Sequence, residues 1–173
     1  ASVGVTSGQS SFPVAVDPVA PGPARPRAPH QVSLRDLDAA ARGAAVELEL
    51  IGADADTVVT GATSSSVAAR PGDLFAALPG ARSHGAAHAG QALAQGAVAV
   101  LTDSAGARII GARAPMLIAG DPRSAIGVLA DRIYGQPSAA LRVAGITGTS
   151  GKTTTTYLLR AGLTGLGAAA GVI

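Results

Sequence analysis

From residue 33 to residue 134 the apolar positions alternate between the period of a helix and the period of a strand. Ser33-Leu34-Arg35-Asp36 sets a serine three residues before an acid. That pair can satisfy free amides at a helix start, with Leu37, Ala40 and Ala41 continuing the helix and Gly43 expected to stop it. Residues 46–51 alternate apolar with acidic side chains, the mark of a half-exposed strand, and the β-branched run 57–63 predicts another. A strand over 73–78, a helix over 86–95, a strand over 97–102, a short helix over 105–112 and a strand over 115–119 follow. This alternation predicts an α/β fold, a parallel or mixed sheet with helices on its faces. Asp121-Pro122 supplies an N-cap and a first-turn proline for a helix to Tyr134, closed by Gly135.

Outside this stretch the pattern changes. Residues 1–30 are rich in Pro, Ser and Gly without apolar periodicity, so they read as a disordered tail, and they lack the build of a secretory signal. A domain boundary is expected near residue 120, giving a first domain over 31–120 and a second over 121–173. In the second, residues 141–147 read as a buried strand, Gly148–Gly151 as a turn, and Lys152 to Leu166 as a helix leading into a fresh apolar run at Ile173. A strand, turn and helix that open onto another strand are expected to be the start of a domain, cut short.

Composition narrows the chemistry. With no cysteine among 173 residues there is no disulfide framework, thiolate nucleophile or thiolate metal site. The chain is 47% hydrophobic, but roughly a fifth of it is alanine, and no stretch of about 18 residues is free of Gly, Pro and charge, so no membrane insertion is expected. Thirteen basic residues face eleven acidic ones, the arginines are scattered, and aromatics make up 2%, which leaves neither the charge stripe nor the stacking surface of a nucleic-acid binder.

The candidate chemistry centres on Val143-Ala144-Gly145-Ile146-Thr147-Gly148-Thr149-Ser150-Gly151-Lys152-Thr153-Thr154. A strand that enters a glycine-bounded turn and opens a helix aims several backbone N–H groups at one point, where the helix dipole adds positive charge. Phosphate oxygens suit that point. Gly148 and Gly151 allow close approach, Thr149 and Ser150 line the turn, Lys152 can reach the terminal phosphates, and the hydroxyl of Thr153 or Thr154 can ligate Mg²⁺. Lys152 is the sole lysine in the chain. The generic phosphate-loop pattern asks for glycine where this chain has Ile146, and a structural Gly-Thr turn before a helix is the competing reading.

Residues 146–158, Ile146-Thr147-Gly148-Thr149-Ser150-Gly151-Lys152-Thr153-Thr154-Thr155-Thr156-Tyr157-Leu158, resemble the ATP-binding loop of the Mur ligases, with serine at 150 where asparagine is frequent. Upstream, Arg70-Pro71-Gly72-Asp73-Leu74-Phe75 resembles the N-terminal signature of the same family, and Gln91-Ala92 with residues 95–100 resembles the helix and strand that follow it. The resemblance covers about residues 32–173. It implies a small N-terminal domain that holds the uridine diphosphate end of a substrate, followed by the first strand, phosphate loop and helix of an ATP-binding central domain. By carry-over the substrate contacts fall on Ser64 and Ser66, and on Ala81, Arg82 and Ser83, with Arg82 able to pair with the pyrophosphate. The family often has Asp-Ser-Arg where this chain has Ser65-Ser66-Val67, and Asp-Gly where it has His84-Gly85. His84 and His88 stand four residues apart, but without a third ligand nearby they read as a helix start or an exposed face.

Within the family the four threonines before Tyr157-Leu158 most resemble the branch that adds the third residue of the peptidoglycan stem peptide. The implied reaction is cytoplasmic: ATP with Mg²⁺ phosphorylates the carboxylate of UDP-MurNAc-L-Ala-D-Glu, and a diamino acid attacks the acyl phosphate, with Lys152 catalytic. The 173 residues alone are expected to be inactive. The alternatives are the family's D-Ala-D-Ala-adding ligase and a non-catalytic nucleotide- or UDP-sugar-binding module.

Overall fold

Ser33 begins the first helix as its sequence predicts. Its hydroxyl accepts the Asp36 N–H at 3.1 Å, and the Asp36 carboxylate accepts the Ser33 N–H at 3.2 Å. This reciprocal cap starts α1 (Leu34–Gly43), whose Leu34, Leu37 and Ala41 are fully buried. Gly43 is the last helical residue, not the stop. The left-handed position falls to Ala45 at φ +58°, while Val46 N–H bonds Ala41 C=O at 2.8 Å and Ala45 N–H bonds Arg42 C=O. An alanine therefore occupies a closing position that glycine normally takes.

The computed structural model describes residues 30–111 and 114–172, so almost all of the 1–30 tail lies outside the described residues. Two compact units divide after Gly135. The first unit holds β1 (Val32–Ser33), α1, β2 (Leu48–Ile51), β3 (Val58–Val59), β4 (Gly61–Thr63) and β5 (Asp73–Ala76), followed by α2 (Ala89–Ala94), β6 (Ala99–Thr102), α3 (Ser104–Ile110), β7 (Met116–Ala119) and α4 (Pro122–Ile133). Five strands form one sheet in the order β2-β7-β6-β5-β4. Strands β4 to β7 run parallel, and β2 closes the far edge antiparallel to β7. The expected α/β architecture is present.

Side chains alternate across the sheet, as the period of a strand requires. Leu74, Ala99, Leu101, Leu117 and Ala119 face α1 and α4, where Leu34, Leu37, Leu129 and Ile133 complete a leucine-rich layer. Phe75, Val100 and Met116 face the other way, onto Ala86, Ala89 and Ala92. Alanine on that face lets the 3-10 turn Gly85–His88 and α2 lie close to the strands. Helix α4 belongs to the first unit by this packing, although the sequence reading set a boundary near residue 120.

Two expected elements of the first unit differ in detail. The single strand over 57–63 is split: β3 pairs with β1, β4 pairs with β5, and Thr60 between them bonds Gly72 C=O through its N–H at 2.8 Å. The helix over 86–95 starts as the 3-10 turn and becomes regular at Ala89.

The second unit has α5 (Pro137–Ala140) and α6 (Lys152–Gly165). Residues 141–147 are not a strand but an exposed segment, with Leu141 and Val143 open to solvent. A strand needs a neighbour to accept its ladder, and among the described residues none lies beside this one.

Candidate functional site

The carboxyl ends of parallel strands are where open α/β sheets take ligands. Two of the sequence-predicted segments leave the sheet there. Ser64 and Ser66 follow β4, and Ala81, Arg82 and Ser83 follow β5, the strand beside it. Thr63 Oγ1 accepts the Ser65 N–H at 3.1 Å, turning the serine run sharply. Ser66 Oγ then bonds Gln91 Oε1 on α2 at 2.7 Å. Ser64 stays exposed, as do Ala81, Arg82 and Ser83.

The loop that carries Ala81–Ser83 is tied at several points. Gly80 N–H bonds Ser83 C=O at 3.2 Å and Gly85 N–H bonds Leu78 C=O at 2.9 Å. The Arg123 guanidinium on α4 donates to Pro79 C=O at 2.8 Å. His84 stands at a helix start, one of the two places expected for it, capping the 3-10 turn with a half-buried side chain. Its Nδ1 accepts the Ala86 N–H at 3.0 Å, and its Nε2 meets Asp103 Oδ1 at 3.1 Å. Since Nδ1 accepts, the ring proton is on Nε2 and is donated to the carboxylate. Among the described residues no group of three or more His, Cys, Asp or Glu side chains could hold a metal.

Asp103 also caps α3, accepting the Gly106 N–H at 2.7 Å. That amide bond holds its carboxyl below the ordinary value, burial opposes the shift, and His84 adds to it. Asp121, the cap of α4, is lowered chiefly by the Ser124 hydroxyl at 2.6 Å. Sequence reading missed Asp103, Gln91 and Arg123. Asp103 carried a local signal, an Asp directly before a short helix, whereas the other two act through long-range contacts.

The Arg70-Pro71-Gly72-Asp73 motif has a structural role. Asp73 N–H bonds Arg70 C=O at 3.1 Å, and the fully buried Asp73 carboxylate accepts the Arg70 N–H at 2.8 Å. Proline then glycine at φ +87° is the pattern of a type II turn, and a Cβ at Gly72 would collide with the Thr60 hydroxyl. The motif builds the corner that delivers β5 into the sheet.

In the second unit, Gly151 at φ +76° caps α6 with no side-chain bond to its first-turn amides. Lys152 Nζ curls back to Gly148 C=O at 2.6 Å, and Thr149, Ser150, Thr153 and Thr154 are exposed. Thr156 spends its hydroxyl on Lys152 C=O at 2.8 Å. Open amides at the start of a fourteen-residue helix, a lysine folded over the turn and exposed hydroxyls fit an anion with a hard cation beside it.

Residues 58–134 match the Mur ligase family, catalytic domain. Over 144 residues the chain is 51% identical to the UDP-N-acetylmuramoyl-L-alanyl-D-glutamate--2,6-diaminopimelate ligase of Streptomyces avermitilis, covering 83% of this chain and 27% of the relative. The enzyme of the same name from Xanthomonas campestris pv. campestris is 43% identical over 68% of this chain and 24% of its own length. The chain thus spans about a quarter of the length of the curated relatives it matches. Among solved structures it is similar to MurF from Acinetobacter baumannii, with a TM-score of 0.60 and 27% identity over 80% of this chain and 28% of that one. No helix among the described residues is long and apolar enough to cross a membrane. On the matched segment, the identities and the shared fold, the chain is similar to the Mur ligases, with the family's catalytic-domain pattern over residues 58–134.

Proposed function

We propose that the protein this chain comes from is a cytoplasmic ATP-dependent amide ligase, which adds 2,6-diaminopimelate to UDP-MurNAc-L-Ala-D-Glu in the making of peptidoglycan precursors. The observation that carries this reading is the 51% identity over 144 residues to the Streptomyces avermitilis enzyme of that activity. The D-Ala-D-Ala-adding alternative rests on the 27% identity to the solved Acinetobacter baumannii structures, one of them a UDP-N-acetylmuramoylalanyl-D-glutamyl-2,6-diaminopimelate--D-alanyl-D-alanyl ligase. The higher identity favours the diaminopimelate reading.

In this reading the first unit takes the uridine diphosphate end of the substrate at Ser64, Ser66, Ala81, Arg82 and Ser83. The second takes the phosphates of ATP at Gly148, Thr149, Ser150, Gly151, Lys152, Thr153 and Thr154. ATP with Mg²⁺ supplies the phosphoryl group that activates the substrate carboxylate. Lys152 neutralises phosphate charge, the first-turn amides of α6 orient the anion, and the Thr153 or Thr154 hydroxyl holds Mg²⁺.

The test is turnover by the native gene product with UDP-MurNAc-L-Ala-D-Glu, ATP, Mg²⁺ and either 2,6-diaminopimelate or D-Ala-D-Ala. Release of ADP that depends on diaminopimelate, together with product of the matching mass, is expected. Lys152→Ala is expected to lower kcat by at least about a hundredfold, the cost of removing one preorganised electrostatic group, while UDP-substrate binding persists. Turnover only with UDP-MurNAc-tripeptide and D-Ala-D-Ala would replace this reading with the alternative.

A further inference from the structure

We propose that His84 is a positioning residue for the uridine diphosphate substrate, latching the loop 79–85 to the start of α3 through Asp103. The proposal rests on the substrate reading above for Ala81, Arg82 and Ser83. It is carried by the two-sided use of one imidazole: Nδ1 accepts the Ala86 N–H at 3.0 Å and Nε2 donates to Asp103 Oδ1 at 3.1 Å. The first bond fixes the 3-10 turn that leaves the loop. The second ties the loop to the neighbouring β6–α3 connection, nineteen residues away in sequence.

The surroundings hold the ring in place. Gly106 in the first turn of α3 is buried, and a Cβ there would lie 2.6 Å from His84 Cε1 and collide with the Thr102 hydroxyl. Thr102, itself fully buried, donates to Ala77 C=O at 3.1 Å just before the loop begins. Asp103 is held ready as an acceptor because the Gly106 N–H already bonds the same oxygen at 2.7 Å. On the other side Arg123 holds Pro79 C=O. The three exposed residues Ala81–Ser83 therefore project from a loop anchored at both ends, so a ligand meets a loop already in shape and loses less entropy in ordering it.

Two substitutions separate the latch from the turn. In His84→Asn the side-chain oxygen can stand where Nδ1 stands and keep the Ala86 bond, but the side chain is too short for Asp103. In His84→Gln the amide NH₂ can stand where Nε2 stands and keep the Asp103 bond. The experiment is calorimetric titration of the 173-residue chain and both variants with UDP-MurNAc-L-Ala-D-Glu. Amide NMR spectra of Gly80–Ser83 and thermal melting are recorded alongside.

The expected result is about tenfold weaker binding for His84→Asn, the scale of one hydrogen bond to a charged acceptor. Gly80–Ser83 amides should broaden or shift in that variant, and binding should return to within about threefold of wild type in His84→Gln. Equal binding by wild type and both variants would overturn the latch while leaving the substrate reading intact. A variant that melts early yet binds normally once folded at lower temperature would also overturn it, because the residue would then serve stability alone. Absence of binding by the wild-type chain, with intact spectra, would overturn the substrate reading itself.

Discussion

Residues 30–135 and residues 136–172 carry opposite balances of packing and chemical signal. The first unit buries two layers of side chains on one sheet, and its motif Arg70-Pro71-Gly72-Asp73 serves the backbone corner before β5. In the second unit no described residue is buried, yet it displays the sharper chemical pattern, a glycine-bounded turn with Lys152 at the start of α6. The difference teaches that the glycine-bounded turn before α6 is a local device. Its shape is set by a few torsions, those at Gly148 and Gly151. The loops at the end of the sheet depend instead on strand order, and on distant anchors such as Arg123 and Asp103.

Core truncation breaks the comparison most strongly. Phe75→Ala, at a fully buried position, should destabilise the first unit by about 3–5 kcal/mol in denaturant unfolding, whereas Leu163→Ala on exposed α6 should stay within about 0.5 kcal/mol. Equal losses would mean the second unit holds a core of its own. Gly72→Ala comes next, combining a left-handed torsion with a collision against Thr60, and should cost about 1–3 kcal/mol in the same measurement. It should leave ATP titration unaffected.

The acid limb of stability should report Asp103. Its carboxyl titrates lower in the folded protein than in the unfolded chain, so its contribution is full above about pH 4 and fades as the pH falls through the lowered folded value. Asp103→Asn should therefore flatten the loss of stability as the pH falls below about 4, relative to wild type. An unchanged slope would mean the caps of α1 and α4, Asp36 and Asp121, dominate. The smallest expected effect is a gain: Ala45→Gly relieves the positive φ at the close of α1 and should stabilise by about 0.5–1 kcal/mol. Thermal melting checks it.

Much of the first unit was legible because its strands and helices are amphipathic at their own periods. Leu74, Leu101 and Leu117 alternate cleanly with Phe75, Val100 and Met116. The split at Thr60 was not legible, since β-branched residues favour extended backbone without saying which strand will pair with them. The Thr60 bond to Gly72 C=O is a tertiary fact. Residues 141–147 show the converse: apolar side chains at Leu141, Val143 and Ile146 signalled a buried strand, but periodicity reports preference and not the presence of a neighbour. In the candidate site, Lys152 opens α6 with Gly151 before it, as their spacing predicted. Ser64, Ser66 and Ala81–Ser83 follow neighbouring strands at one end of the sheet, while the supports of these loops, His84 to Asp103 and Arg123 to Pro79, join segments 19 and 44 residues apart.

The most direct test of the central claim, that the two units take two different ligands, is a pair of amide NMR titrations of the chain. UDP-MurNAc-L-Ala-D-Glu should move residues 64–66 and 80–83, and ATP with Mg²⁺ should move residues 148–154, each leaving the other set in place. Both ligands acting on one set, or the UDP ligand acting on the phosphate loop alone, would contradict the account.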